Sequence, residues 1–135
     1  MEIVTIFIEN EQKRLLIQKR SLLKGGKYGI TSGHTLIGEE PKKGAIREIQ
    51  EELGIHIMEN ELKQIYKIQI GKTVYNLYYV YKNIKLEEIT LQKEEVQDVT
   101  WCTREEINNL IQKNEFYEKQ IEAYKIFEKY IKEEF

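Results

Sequence analysis

The sequence predicts an α+β domain. Three observations carry that reading: two pairs of strand-like segments each joined by a short polar or glycine turn, a central stretch with helical apolar spacing, and helical spacing again toward the end of the chain. Strands and helices do not alternate regularly, which disfavours a doubly wound dinucleotide fold. A length of 135 residues suits one buried core, so residues 1–135 are read as a single domain.

Ile3 to Ile8 alternates as a strand, Glu9 to Gln12 is a polar turn, and Leu15-Leu16-Ile17 centres the next strand, so a first hairpin is expected. Ser21 to Lys27 reads as a loop around Gly25-Gly26, and Tyr28 to Ser32 as a short strand running into a turn at Gly33. A helix is predicted from Pro41, whose missing N–H costs nothing in a first helical turn, to a stop at Gly54. Leu62 to Ile70 and Thr73 to Tyr81 flank Gly71-Lys72 as a second hairpin, its second arm rich in tyrosine. Val96 to Cys102 reads as another strand. Thr103 with Glu106 three residues on resembles a capping box ahead of Ile107, Leu110 and Ile111. A last helix is expected over about 114–133, with Tyr117, Ile121, Tyr124, Phe127 and Ile131 at three- and four-residue spacing.

Composition narrows the function classes. With 21 Lys plus Arg against 23 Asp plus Glu, the net charge of -2 supplies no general attraction for nucleic acid, which is not expected as a partner. No run approaches the roughly 18 to 20 apolar residues of a membrane span, so no membrane association is expected. A single cysteine, Cys102, and an N-terminus without the basic start of a signal peptide make cytoplasmic residence the expectation.

The segment that carries chemistry is the central helix. On a helical wheel Ala45, Ile49, Leu53 and Ile46 follow one another as one compact apolar stripe. Glu51, Glu48 and Glu52 follow one another around the remainder of the wheel, on the side expected to be exposed, with Arg47 next to Glu51. Like charges at that spacing repel, and folding alone does not ask for them. A divalent cation does, because hard carboxylate oxygens neutralise it and the complex attracts phosphate. A solvated acidic helix face is the plain alternative.

The wider spacing resolves more. Gly33, five residues, Glu39, seven residues, then Arg47-Glu48-Ile49-Gln50-Glu51-Glu52-Leu53-Gly54-Ile55 resembles the complete Nudix box, all nine specified positions of G-x5-E-x7-R-E-U-x-E-E-x-G-U (U aliphatic) being matched. With the surrounding order of elements, residues 3 to 112 resemble the Nudix (MutT-like) hydrolase family. The resemblance implies a Nudix fold, a mixed β-sheet between helices with a catalytic loop-helix-loop. It also implies a pyrophosphohydrolase using Mg2+ or Mn2+ on a nucleoside diphosphate linked to another group, such as a nucleoside triphosphate. By the same resemblance Glu48, Glu51 and Glu52 are the metal candidates, with Glu52 foremost. Glu48 is the first choice for base or water positioning, Arg47 orients the carboxylates, Glu39 supports the loop or an outer metal shell, and the Gly33 position shapes the loop and lends a nearby carbonyl to the metal. Relatives often place a further glutamate, ligand or base, a few residues before a tryptophan, a position that Glu95 ahead of Trp101 resembles.

Other residues are read from their chemistry. Arg20 can hold phosphate through its forked donors or be a surface charge at a strand end, and Lys19 and Lys24 are weaker candidates of the same kind. Tyr28, where relatives carry a bulky residue, is expected to wall the cleft. Trp101 and Cys102 are read as packing residues. Ser32 stands where the family usually has glycine and is expected to narrow a turn. His34 beside Gly33 resembles the isopentenyl diphosphate isomerase branch, but Cys102 is too far along the chain to serve as that branch's cysteine. Two rival readings remain: a non-catalytic Nudix-like nucleotide-binding module, and a hydrolase of a non-nucleotide, isoprenoid-type diphosphate. Finally, Phe116, Tyr117, Tyr124, Phe127, Tyr130 and Phe135 put six aromatics in the last 20 residues, which admits a homodimer contact or packing within the chain.

Overall fold

The computed structural model describes residues 1–134, so Phe135 lies outside the described residues. Seven strands form one mixed sheet: β1 (Glu2–Glu9), β2 (Leu15–Arg20), β3 (Tyr28–Gly29), β4 (Thr31–His34), β5 (Lys63–Ile70), β6 (Thr73–Tyr81) and β7 (Val96–Cys102). The path runs β3-β2-β1-β6-β5, with β4 also on β1 and β7 also on β2. Helix α1 (Pro41–Leu53) covers one face, while α2 (Arg104–Gln112) and α3 (Ile121–Glu134) cover the other. A mixed sheet between helices is the α+β architecture expected from the sequence. Among the described residues no helix is long and apolar enough to cross a membrane.

Strand alternation sorts the two cores. Val4, Ile6, Ile8, Leu16, Tyr78 and Val80 meet Ala45, Ile49 and Leu53 of α1. Phe7, Leu15, Ile17 and Leu77 meet Ile107 of α2 and Tyr124, Phe127 and Ile131 of α3, with the Phe7 and Phe127 rings stacked at 4.6 Å.

Three expectations need correction. The first hairpin barely pairs: β1 and β2 meet only at Glu9 and Leu15, then splay apart. The space between them is filled by β3 and β4, nearly continuous in sequence, the former on β2 and the latter on β1. Beyond its other edge β1 runs parallel to β6 from Glu2 to Glu9, a long-range pairing that local turn signals cannot announce. Second, Gly33 is not a turn residue but lies inside β4 opposite Val4, and Ser32 lies opposite Thr5. Third, the last helix begins at Ile121 rather than near 114. Asn114 has φ 59°, Phe116 bridges to Tyr28, and only a short 3-10 turn (Glu118–Gln120) precedes α3. The second hairpin, the capping box at Thr103 and the Gly54 stop, at φ 69° with its N–H on the Gln50 carbonyl, form as the sequence predicts.

The C-terminal aromatics among the described residues pack within the chain. Phe116, Tyr124 and Phe127 are buried, Tyr117 lies under the Arg20 guanidinium at 3.7 Å, and Tyr130 sits 6.2 Å from Tyr79.

Candidate active site

Helix α1 turns Glu48 and Glu52 inward against the sheet and leaves Glu51 exposed. Gly33 has no side chain, and the Glu48 carboxyl lies where one would be: a Cβ at that position would overlap it. A larger residue there would push the Glu48 carboxyl, the far end of a flexible side chain, out of this position. Glu52, four residues on, is buried at the edge of the apolar stripe and closes on Glu48. Burial first, and the facing Glu48 second, push the Glu52 carboxyl far above its ordinary range. The buried Gln18 amide, 2.8 Å from the Thr31 hydroxyl, also reaches Glu52 and works the other way.

Arg47 organises the remaining acids. Its Nε and Nη2 donate to the two Glu39 oxygens at 2.9 and 3.0 Å, a bidentate pair, and Nη2 also donates to the His34 carbonyl at 3.0 Å. Its Nη1 donates to Glu48 at 3.0 Å and to Glu51 at 2.9 Å. Held by Arg47 and by the Leu36 N–H, Glu39 ionises below its usual range, and the guanidinium is pushed the opposite way, its pKa raised.

The structure thus brings Glu48 and Glu52 together and spaces the other candidates around them. Glu51 is turned to Arg47 and is partly exposed. Glu95 is half exposed on a loop tied to Ser21, pairs with Lys24 at 3.3 Å, and is near enough to Glu52 to add to its upward shift. Arg20 rests on Tyr117. Lys19 stands 5.8 Å from the Tyr28 ring, and Tyr28 packs with the α2 and α3 core, on the sheet face opposite Gln18. There Tyr28 lines a cleft of about 250 Å³ with Thr100, Cys102, Glu106 and Leu110. It walls a cleft, but one away from the acids. Trp101 packs on the α1 core and donates to the Ile84 carbonyl at 3.1 Å, and Cys102 is buried with its thiol pushed up to about 11 by burial.

Whether a metal fits can be judged from the donors. Among the described residues no three His, Cys, Asp or Glu side chains are gathered into a cage. Two carboxylates are gathered, one of them buried against the other, an arrangement that a proton or a hard cation relieves. Mg2+ is commonly held by one or two carboxylates plus substrate phosphates and water, so the pair fits it.

Sequence reasoning does not find Gln18 and Gln120. Gln18 has a signal: it follows Leu16 by two, so alternation sends a polar amide to the same buried face. Gln120, 7% exposed, has none, because its partners lie 88 to 90 residues away.

Comparisons with known proteins bear on the family and the fold. The family model described as NUDIX domain matches residues 1–124. An uncharacterised Nudix hydrolase of Listeria monocytogenes is 36% identical over 118 residues, covering 84% of this chain and 70% of the relative. Among solved structures, a Deinococcus radiodurans protein superposes with TM-score 0.72 at 19% identity, over 85% of this chain and 74% of that one. A MutT protein from Methanosarcina mazei gives 0.71 at 21% identity, over 99% and 94%.

Proposed function

The chain belongs to the Nudix family, and we propose that it is a hydrolase that cleaves a phosphoanhydride bond in a nucleoside diphosphate linked to another group, with Mg2+ or Mn2+ as cofactor. One observation carries this reading: Glu48, set against Gly33 and bonded by Arg47, faces the buried Glu52, a pairing of carboxyl groups that folding alone does not reward and that a proton or a cation relieves.

Glu48 and Glu52 would hold the cation, with Glu51 and Glu95 able to swing in from Arg47 and Lys24. When bound, the cation lowers the pKa of water and neutralises charge that builds on phosphoryl oxygens. The protein's own part is placement. Arg47 draws the Glu48 carboxylate toward Glu39 and the His34 carbonyl, fixing which oxygen faces the substrate. Glu48, less buried than Glu52, is the group to accept the proton from the attacking water. Arg20, released from Tyr117, supplies forked donors to a phosphate. We favour a small nucleotide such as a nucleoside triphosphate as substrate.

The test is phosphate or diphosphate release from nucleoside triphosphates, dinucleoside polyphosphates, ADP-ribose, nucleotide sugars and an isoprenoid diphosphate, with Mg2+, Mn2+ or chelator. Metal-dependent turnover of a nucleotide class is expected. Turnover of the isoprenoid compound alone would overturn the nucleotide reading, and silence across the panel from folded protein would replace the hydrolase by a binding module.

A further inference from the structure

The segment before α3 is stitched along the strand that leads to Gly33. Tyr28 donates its N–H to the Glu115 carbonyl at 2.9 Å, and Tyr117 donates to the Tyr28 carbonyl at 2.7 Å. Three residues on, the Gln120 side chain takes over as though it were backbone. The Ile30 N–H donates to its Oε1 at 2.7 Å, and its Nε2 donates to the Ile30 carbonyl at 3.0 Å and to the Ser32 hydroxyl at 2.8 Å. The fit is close enough that a Cβ at Gly29 would meet Oε1 at 2.5 Å. One buried amide therefore fixes Ile30 and Ser32, and the next residue is Gly33, against which the Glu48 carboxyl lies.

We propose that Gln120 is a positioning residue for Glu48. By locking Ile30 to Ser32 it sets the backbone at Gly33 that backs the Glu48 carboxyl and keeps it closed on Glu52. The proposal rests on the reading of Glu48 and Glu52 as the metal-holding pair. A purely structural role, anchoring α3, is already filled by other groups: Phe116, Tyr124 and Phe127 are buried in the core, and Lys27 reaches Asn114 and Glu118 at 3.2 and 3.1 Å. Ordering and burying a long amide carries an entropic and desolvation cost, which its hydrogen bonds to the Ile30 backbone and the Ser32 hydroxyl offset. Its third hydrogen bond reaches the Ser32 hydroxyl, one residue before Gly33 along β4.

Three variants test this: Gln120→Leu, Ser32→Ala, which removes only the last bond, and Lys27→Met, which loosens the same segment without touching Ile30 or Ser32. Two quantities are read for each, the dissociation constant for Mn2+ alone, by calorimetry, and the separate kcat and KM with Mg2+. Gln120→Leu is expected to weaken Mn2+ binding and lower kcat by about 10-fold with KM little changed, as loss of support behind a ligand does. Ser32→Ala should move both the same way by a smaller factor, and Lys27→Met neither. Wild-type Mn2+ affinity and kcat in folded Gln120→Leu would overturn the proposal, as would equal losses in Lys27→Met. If Gln120→Leu fails to fold, Ser32→Ala decides, and a wild-type result there sinks the idea. Should the wild type hydrolyse nothing, the functional reading fails by itself, while the Mn2+ affinities still judge the role of Gln120.

Discussion

Helices α1 and α3 both carry several glutamates and use them in opposite ways. In α3, Glu122, Glu128 and Glu133 are interspersed with Lys125, Lys129 and Lys132, while Tyr124, Phe127 and Ile131 fill the core. In α1, three glutamates fall within five residues beside a single arginine, and one of them, Glu52, is buried among the apolar residues. The first arrangement satisfies solvent and neighbouring charge. The second leaves one carboxyl dependent on a proton or a cation. A site is therefore marked by the acid that is buried against another acid, and a count of acids does not find it.

That contrast breaks most sharply on Glu52. Glu52→Gln keeps the shape of the side chain and removes its charge, and metal-dependent turnover is expected to fall by about 10²–10³-fold, the range seen when a preorganised electrostatic group is lost. Glu133→Gln on α3 should leave turnover unchanged. Comparable rates for the two variants in steady-state assays would end the distinction. A smaller effect is expected from Gly33→Ala, because the added methyl displaces Glu48 without removing it. A loss of about 10-fold in kcat with the fold intact by circular dichroism is the expected outcome; full activity would show that Glu48 tolerates displacement.

Legibility in the sequence follows the range of the interaction. Helix α1, its glycine stop, the capping box and the β5–β6 hairpin are set by residues within a few positions of one another, and they form where the local pattern places them. The parallel β1–β6 pairing, the insertion of β3 and β4 between β1 and β2, and the Gln120–Ile30 contact join residues far apart in the chain, and no local pattern carries them. The same rule divides the candidate site. The spacing of the box puts Arg47, Glu48, Glu51 and Glu52 on one surface, but the burial of Glu52 and the closeness of Glu48 to Gly33 emerge only when the sheet and the loop before β7 lie against the helix. Tyr28 and Lys19 fall away from the acids for a related reason: nearness in sequence to the box does not say which face of the sheet a strand residue takes.

The buried acid also gives α1 a dependence on pH. In the unfolded chain Glu52 titrates near 4.5, whereas in the fold burial and then Glu48 push it up to about 9. Between those values the folded state binds more protons than the unfolded state, so stability falls as pH rises. The contribution is complete below about pH 4.5 and gone above about pH 9. Metal-free protein in chelator should therefore show a Tm that declines from pH 5 to 9 by thermal unfolding, and Glu52→Gln should flatten that decline. Mn2+ should raise Tm most at the alkaline end, where it takes the place of the missing proton. A decline of equal slope in Glu52→Gln would assign it to other groups.

The smallest effect belongs to the opposite face of the sheet. Thr103 caps α2, accepting from the Glu106 N–H at 3.1 Å while Glu106 accepts from the Thr103 N–H at 2.8 Å. Thr103→Ala removes one of the two bonds and should cost about 1 kcal/mol, seen as a lower urea midpoint at unchanged slope. Because α2 meets the sheet through Ile107 and the Phe7 core, and not through α1, kcat and KM should stay at wild-type values. A fall in kcat would mean that the two faces move as one. Unchanged kcat beside a loss of about 10-fold in Gln120→Leu would instead set the Gln120 contact with Ile30 and Ser32 apart from the packing of α2, and a loosened α2 would then be felt only by the stability of the fold.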